Sequence, residues 1–474
     1  MHAKSRVKAP TVAAIAAFAG QASSRSLNDD VRKLLKRNIL DSIGCAIAAL
    51  PAAPFAALRD QFDEYRSDGT CTLIGGGRTA ADQAAFYNSA LVRYVDLLDS
   101  YMSPGGLCHP SDNFGTILAA AEHGRASGEE FLLALAVAYE IQCRITAAVP
   151  VMAKGFNHAI QLAISCAAGA GKLLDRSDEQ IANAIAIAAV DNISLACVHA
   201  EPVSQWKGFS PGMTGMRAIY AASLAKRGFT GPSGLFEGPS GLVQMLGQSI
   251  DVDWSDDSLE AVKLTVLKRF CALIHGQPVL EAVLGLKHEH GLTAEDIKNI
   301  RCDVFQTGYD IAGGGAFGSK SNPRTKEQAD YNLKYLVAAA MLDDKVGPDQ
   351  LEPERINSAD AQLLLRRVEI HPDDNFTVSY PDQLNARITI KTRDGRTLAR
   401  EQRGYEGGLG RPLSWDRTVE QFNWLSEPFA SADLRNAIVE TVARIDESPI
   451  DRLTTLLEAV SPKAVFQVSH PGIQ

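Results

Sequence analysis

Apolar residues recur at helical spacing through the first half of the chain. From Val31, after an Asn28-Asp29-Asp30 start signal, Leu34, Leu35, Ile39, Ile43 and Ile47 mark one helix face. The same period predicts helices over 82–98, 114–125, 129–147, 157–174, 178–196 and 213–226. Several are rich in alanine and lack charge over long stretches, as in Ile181–Val190, the pattern of helices buried on every side. Gly231-Pro232-Ser233 and Gly238-Pro239-Ser240 then punctuate the chain as a loop.

Beyond about residue 265 the period changes. Ile297–Thr307 and Val368–His371 alternate like strands, and Ala386–Thr392 and Thr397–Gln402 read as a hairpin turning through Asp394-Gly395. Tyr331–Met341 is helical, and so is a last stretch over 416–460. The expected architecture is mainly α. A large all-helical domain spans 1–265 and is completed by C-terminal helices within 405–474, and an α+β domain over 266–404 is inserted between them.

Composition narrows the class. With 474 residues, 46% apolar and 22% charged, the chain has the make-up of a globular protein with a large core. A formal charge of −9 argues against a nucleic-acid surface, and an anionic substrate would need a local basic pocket. No run is expected to approach the roughly 20 apolar residues of a membrane span. Eight scattered cysteines without a C-x-x-C pair suit free thiols in a reducing compartment, hence a cytoplasmic location, or the mitochondrial matrix in a eukaryote. They also supply no compact iron–sulfur run, so an aconitase-like metal centre is not expected. Lys4, Arg6 and Lys8 before an Ala-rich run resemble a signal or transit segment, but the run is short and weakly apolar, and a first helix over Thr11–Ala19 is the preferred reading.

Candidate chemistry concentrates in Cys108-His109-Pro110-Ser111-Asp112-Asn113, which closes the Ser103-Pro104-Gly105-Gly106 loop and opens an apolar helix. Just upstream lie Asp96, Asp99 and Ser100. An imidazole, carboxylates and hydroxyls beside a helix N-terminus point to acid/base work on a carboxylate. Capping of the helix near Phe114 explains Ser111, Asp112 and Asn113 equally well, but not His109 or Asp96. Asp96 and Ser100 are i,i+4 and would share one face of a helix end, where a solvated terminus is the alternative.

His158 begins another apolar helix, with capping by Asn157 as the competing account. Lys207, between Trp206 and Gly208, is poorly explained as a solvated face and suits a carboxylate clamp, ahead of a Gly/Pro turn leading into a helix with Arg217. Lys268, Arg269 and His275 fall at the expected domain boundary, where a cleft would form. The glycine runs at 313–315 and 407–410 do not follow a strand and open a helix with Lys-Ser/Thr, so neither is a phosphate loop.

Taken in order, these segments resemble the MmgE/PrpD family along almost the whole chain. Arg37–Cys45, Asp96–Ser100, His109–Asn113, Gly155–His158, Trp206–Gly215, Gly228–Gly238, Lys268–Gln277 and Gln328–Asp343 carry the likeness. The resemblance implies a helical domain capped by an α+β lid, a homodimer, and a site in the cleft that needs no cofactor and takes a small anionic carboxylate. It implies catalytic roles for Asp96, Ser100, His109, His158, His275 and Tyr335, and substrate binding by Ser111, Lys207 and Lys268. His109–Asn113 and Ile274–Gln277 look most like the 2-methylcitrate dehydratase branch, a hydro-lyase. Decarboxylation of cis-aconitate, epimerisation of iminodisuccinate and a non-catalytic scaffold are the alternatives.

The expected division of labour has Lys207 and Lys268 gripping carboxylates, helped by N–H groups near Ser111. His158 or His109 acts as base, held by Asp96, and the other acts as acid. Departures from the dehydratase pattern are Leu97 and Leu98 between the two aspartates, Leu107 in place of an acid, and Asp330-Tyr331-Asn332 in place of Asp-His-Ser. They bear on the substrate more than on the fold.

Overall fold

A computed structural model describes residues 10–65, 69–104 and 106–461. The basic segment at 4–8, Gly105 of the expected loop and the end of the 405–474 segment lie outside them. The fold is mainly α, as the periodicity predicts.

Among the described residues nine principal helices build the first half: Thr11–Gln21, Asp29–Ala49, Ala53–Tyr65, Ala81–Tyr94, Phe114–Gly124, Gly128–Ala148, Ala159–Leu173, Asp178–Val190 and Trp206–Lys226. Their starts are chemically marked. The Asn28 side chain accepts from the Val31 N–H, and Ser127 with Glu130 and Ser177 with Gln180 close capping boxes. Ala159–Gly171 is buried without a break, as an alanine-rich helix with no polar face must be. Gly128–Ala148, contrary to the sequence expectation, is long and apolar enough to match a membrane span, but 83% of its apolar window is buried inside the fold.

Helices Ala81–Tyr94 and Trp206–Lys226 pack backbone against backbone. A Cβ on Gly212 would stand 2.5 Å from the Phe86 carbonyl oxygen, so only glycine admits this approach. The contact explains why the second helix starts at Trp206 and runs through Pro211, where a Gly/Pro turn was expected. Proline removes one intrahelical hydrogen bond, but glycines at 212 and 215 gain close interhelical packing.

Two other expected helices are shorter than the periodicity suggests. The stretch 82–98 stops at Tyr94, because Asp96 turns with φ +51° into the left-handed region. The stretch 178–196 stops at Val190. Beyond Asp96, Ser100–Ser103 pairs antiparallel with Gly106–Cys108 and with Thr265–Val266, a small sheet the sequence did not suggest.

The second half holds a four-stranded sheet with Val368–Pro372 at one edge, then Ile297–Val304, Asn385–Thr392 and Thr397–Arg403. The first pair is parallel and the others antiparallel, with Ile300 opposite both Val368 and Ile390. The last two strands form the expected hairpin, its turn closed by Gly395 at φ +95°. Ile297, Ile300, Cys302, Ile388 and Ile390 face the core, against which Gln277–His290 and Leu333–Asp343 pack. The final stretch divides into Trp415–Ser426, Ala432–Ala443 and Asp451–Glu458. The first of these packs on Asp29–Ala49, and Gln421 Nε2 donates to Asp41 Oδ1 at 3.0 Å. All eight thiols are free, and Cys197 alone is exposed.

Candidate active site

Asp96 anchors the site from an unusual backbone. A non-glycine residue at φ +51° costs about 1–3 kcal/mol, least for Asp and Asn, and persists only where its surroundings over-determine it. Here Lys268 Nζ donates to Asp96 Oδ1 at 2.7 Å and to its carbonyl at 2.8 Å, while Lys207 Nζ donates to Oδ2 at 3.0 Å. Lys207 also reaches Asp330 Oδ1 at 2.8 Å, and Lys326 pairs with Asp330 Oδ2 at 2.9 Å. Burial opposes the Asp96 charge, but Lys207, Lys268 and Arg93 hold its carboxyl well below the usual range. Burial lowers the Lys207 ammonium in turn, against the pull of Asp330 and Asp96.

The strand Gly106–Cys108 delivers His109 into the same region. The Asp99 carbonyl accepts from His109 Nδ1 at 2.7 Å, and Ser100 Oγ lies 3.1 Å from the same nitrogen. A carbonyl only accepts, so the proton sits on Nδ1 and Nε2 keeps its lone pair. Burial, reinforced by Arg93 and Lys268, holds the imidazole well below 6.5, in its neutral form. The Asp99 side chain secures the turn that follows, accepting from the Ser111 N–H at 3.0 Å and Ser111 Oγ at 2.7 Å.

His158 sits at the head of Ala159–Leu173, where Asn157 Oδ1 accepts from the Ala159 N–H at 2.9 Å. Its Nε2 lies 3.0 Å from Asp112 Oδ2. Burial lowers this imidazole, and Asp112 works in the opposite sense by stabilising the protonated ring. The His109 and His158 rings meet edge to face, with centroids 5.1 Å apart.

Both rings line a cavity of about 410 Å³ whose walls come from both halves of the chain. His199 and His275 line it as well. Asn157 Nδ2 donates to His199 Nε2 at 2.8 Å, and the His199 ring stacks on Tyr331 with centroids 5.4 Å apart. His275 lies beside the stacked rings of Phe305 and Tyr380, neither of its nitrogens has a partner, and burial and Lys268 depress it to about 4. Unpaired, buried imidazole nitrogens facing a cavity are groups waiting for a ligand. Among the described residues, no three His, Cys, Asp or Glu side chains converge as a metal cluster would.

Three of the residues named from sequence, His109, His158 and His275, therefore share one cavity. The others stand elsewhere, or differently than expected. Asp96 and Ser100 do not share a helix face: one is in a left-handed turn and the other in a strand. Asp96 holds neither histidine. The Asp99 carbonyl orients His109, and Asp112 orients His158. Lys207 and Lys268 direct their ammoniums at Asp96 and Asp330, and neither lines the cavity. Ser111 is engaged by Asp99.

No side chain of the Pro110–Asn113 turn caps the helix at Phe114; Asn113 instead donates to Gln142 Oε1 at 2.7 Å and to the Pro110 carbonyl. Tyr335 lies outside the cavity lining, in Leu333–Asp343, donating its hydroxyl to the Gln350 carbonyl.

Sequence reasoning missed Arg93, His199 and the use of Asp112. Arg93 is 2% exposed, and its three guanidinium nitrogens lack a hydrogen-bond partner of normal geometry, with Asp112, Asp96 and Tyr331 close by. A signal existed: Arg93 is the lone cation of Ala81–Tyr94 and follows the apolar run Ala90-Leu91-Val92. His199 offered none.

The first half matches the MmgE/PrpD N-terminal domain over residues 13–255, and the second matches the MmgE/PrpD C-terminal domain over 270–447. The chain belongs to the MmgE/PrpD family. Among its relatives in this family, a 2-methylcitrate dehydratase of Salmonella typhi is 25% identical, covering 87% of this chain and 88% of that protein. A 2-methylcitrate dehydratase of Escherichia coli K12 is 27% identical over 75% of this chain and 77% of its own. A cis-aconitate decarboxylase-like protein of Aspergillus oryzae is 24% identical over 88% and 91%.

Proposed function

We propose that this MmgE/PrpD protein is a hydro-lyase that dehydrates a citrate-like polycarboxylate of the 2-methylcitrate type by general acid/base catalysis. The observation that carries the reading is the pair of edge-to-face imidazoles at 5.1 Å, each held by a different acceptor. His109, with Nδ1–H fixed on the Asp99 carbonyl, presents a bare Nε2 and acts as the base that takes the proton beside a carboxylate. His158, whose protonated ring Asp112 stabilises, acts as the acid. An entering polycarboxylate adds negative charge beside His158 and favours its protonation. As the C–H bond breaks, its electron pair spreads into the neighbouring carboxylate. That pair then forms the alkene as the C–O bond breaks, and the departing hydroxide takes the His158 proton and leaves as water.

His275, on the cavity wall with both ring nitrogens unpaired, supplies a donor for a substrate carboxylate, and Arg93, which does not line the cavity, adds positive charge near His109 that offsets charge building during proton removal. Lys207 and Lys268 act at one remove, by fixing Asp96 and the turn that carries Asp99, whose carbonyl holds His109.

The test is growth of absorbance from the unsaturated tricarboxylate when purified protein meets 2-methylcitrate. No growth with citrate, 2-methylcitrate or any other 2-alkylcitrate would reject the reading. The likeness to the Aspergillus protein supports decarboxylation as a second reading, and carbon dioxide release from cis-aconitate would mark it.

A further inference from the structure

The cavity lining joins two kinds of side chain. The imidazoles of His109, His158, His199 and His275 are one. Leu107, Pro150, Met152, Ile311 and Phe317 are the other, an apolar wall that offers no side-chain hydrogen bond, beside Ser103, Thr307, Tyr331 and Tyr380. Among the lining residues apart from the histidines, only Asp310 bears a formal charge, and its Oδ1 already accepts from Gln306 Nε2 at 2.9 Å. Leu107 and Tyr380 also pack against a buried cluster containing Val266, Ile274, Phe305 and Leu384, which gives this wall a solid backing.

Such a wall favours binding only to the extent that a ligand covers it with apolar surface. Citrate presents carboxylates and a hydroxyl in nearly every direction. Laid against this wall, those groups would lose water without gaining a partner. A methyl group covers little of a cavity of about 410 Å³, a volume in the range that encloses drug-sized ligands. Met152 adds a side chain able to adapt to a flexible substituent.

We propose that the substrate is a citrate-like polycarboxylate carrying an unbranched alkyl substituent longer than methyl. Its carboxylates and hydroxyl sit at the imidazoles, and its chain lies along Leu107, Met152, Ile311 and Phe317. The proposal deepens the hydro-lyase reading and rests on it for the reaction, but not for the binding of the chain.

Two measurements on the full chain test it: turnover by alkene absorbance and binding by calorimetry, each with citrate, 2-methylcitrate, 2-ethylcitrate and 2-butylcitrate. The expected result is a kcat/KM and an affinity that rise by roughly fourfold per buried methylene until the wall is covered. M152Q and I311N should flatten that rise, lowering the ratio of 2-butylcitrate to citrate in both kcat/KM and affinity by at least tenfold. Should I311N fail to fold, the half-buried Met152 still provides the test. Turnover of 2-methylcitrate with a flat or falling series overturns this inference and leaves the hydro-lyase reading standing. Affinity that climbs with chain length without any alkene signal keeps the alkyl assignment and rejects the hydro-lyase reading. Absence of both binding and turnover for all four acids overturns both.

Discussion

His158 Nε2 stands 3.0 Å from Asp112 Oδ2, so the imidazole that begins one helix is oriented by the turn that precedes another. Replacing Asp112 with Asn keeps the shape but removes the charge that stabilises the protonated ring. Turnover by D112N should fall by about 10²-fold with KM nearly unchanged, since an acid is lost and not a binding contact. A large rise in KM at constant kcat would assign Asp112 to binding instead.

Both histidines should be indispensable. Positioned acid/base groups contribute ~10²–10⁴-fold each, so H109A and H158A should each lose at least two orders of magnitude in kcat. Because the two act on one substrate, the double variant should be little worse than either single one. Wild-type rates in either single variant would dismiss the assignment.

The pH profile should carry the mark of burial. His109 is held well below 6.5, so its neutral, proton-accepting form survives as pH drops through 6.5 and is lost only further down. The acid limb of kcat/KM should therefore lie below that of an ordinary histidine. An acid limb at or above 6.5 would exclude His109 as the base.

Asp96 is predicted to be a stability residue first. Its removal leaves the Lys207 and Lys268 ammoniums buried and short of a carboxylate, which typically costs about 3–5 kcal/mol. D96A should show a lowered urea midpoint even without substrate. An unchanged midpoint accompanied by lost turnover would make Asp96 a direct participant in the chemistry.

Asp41 should make the protein less stable in base. Burial, together with the nearby Asp99, raises its carboxyl to about 7. The folded state thus holds a proton that the unfolded chain, with its ordinary value of 3.8, releases. The associated stability is full below 3.8 and is lost as pH rises through about 7. D41N retains an acceptor for Gln421 and cannot ionise, so its Tm advantage over wild type should grow between pH 6 and 8. A difference that is constant with pH would refute the shift.

Much was legible in the chain itself. The helices, the hairpin through Asp394-Gly395 and the family likeness follow from periodicity, turn chemistry and ordered motifs, which are local properties. Periodicity overran at Tyr94, because the apolar Leu97 and Leu98 continue the pattern while Asp96 leaves it for two buried lysines far along the chain. It fell short at Trp206, where glycines that look like breakers instead let two helices touch.

The sequence named His109, His158 and His275 but not what holds them. Only the tertiary structure pairs His158 with Asp112, turns Lys207 and Lys268 toward Asp96, sets Arg93 among Asp112, Asp96 and Tyr331, and leaves both His275 nitrogens without a hydrogen-bond partner. Helix and strand are set by neighbours a few positions away. The orientation and charge of a buried side chain are set by whichever groups folding brings within about 3 Å of it, and spacing along the chain does not encode those meetings.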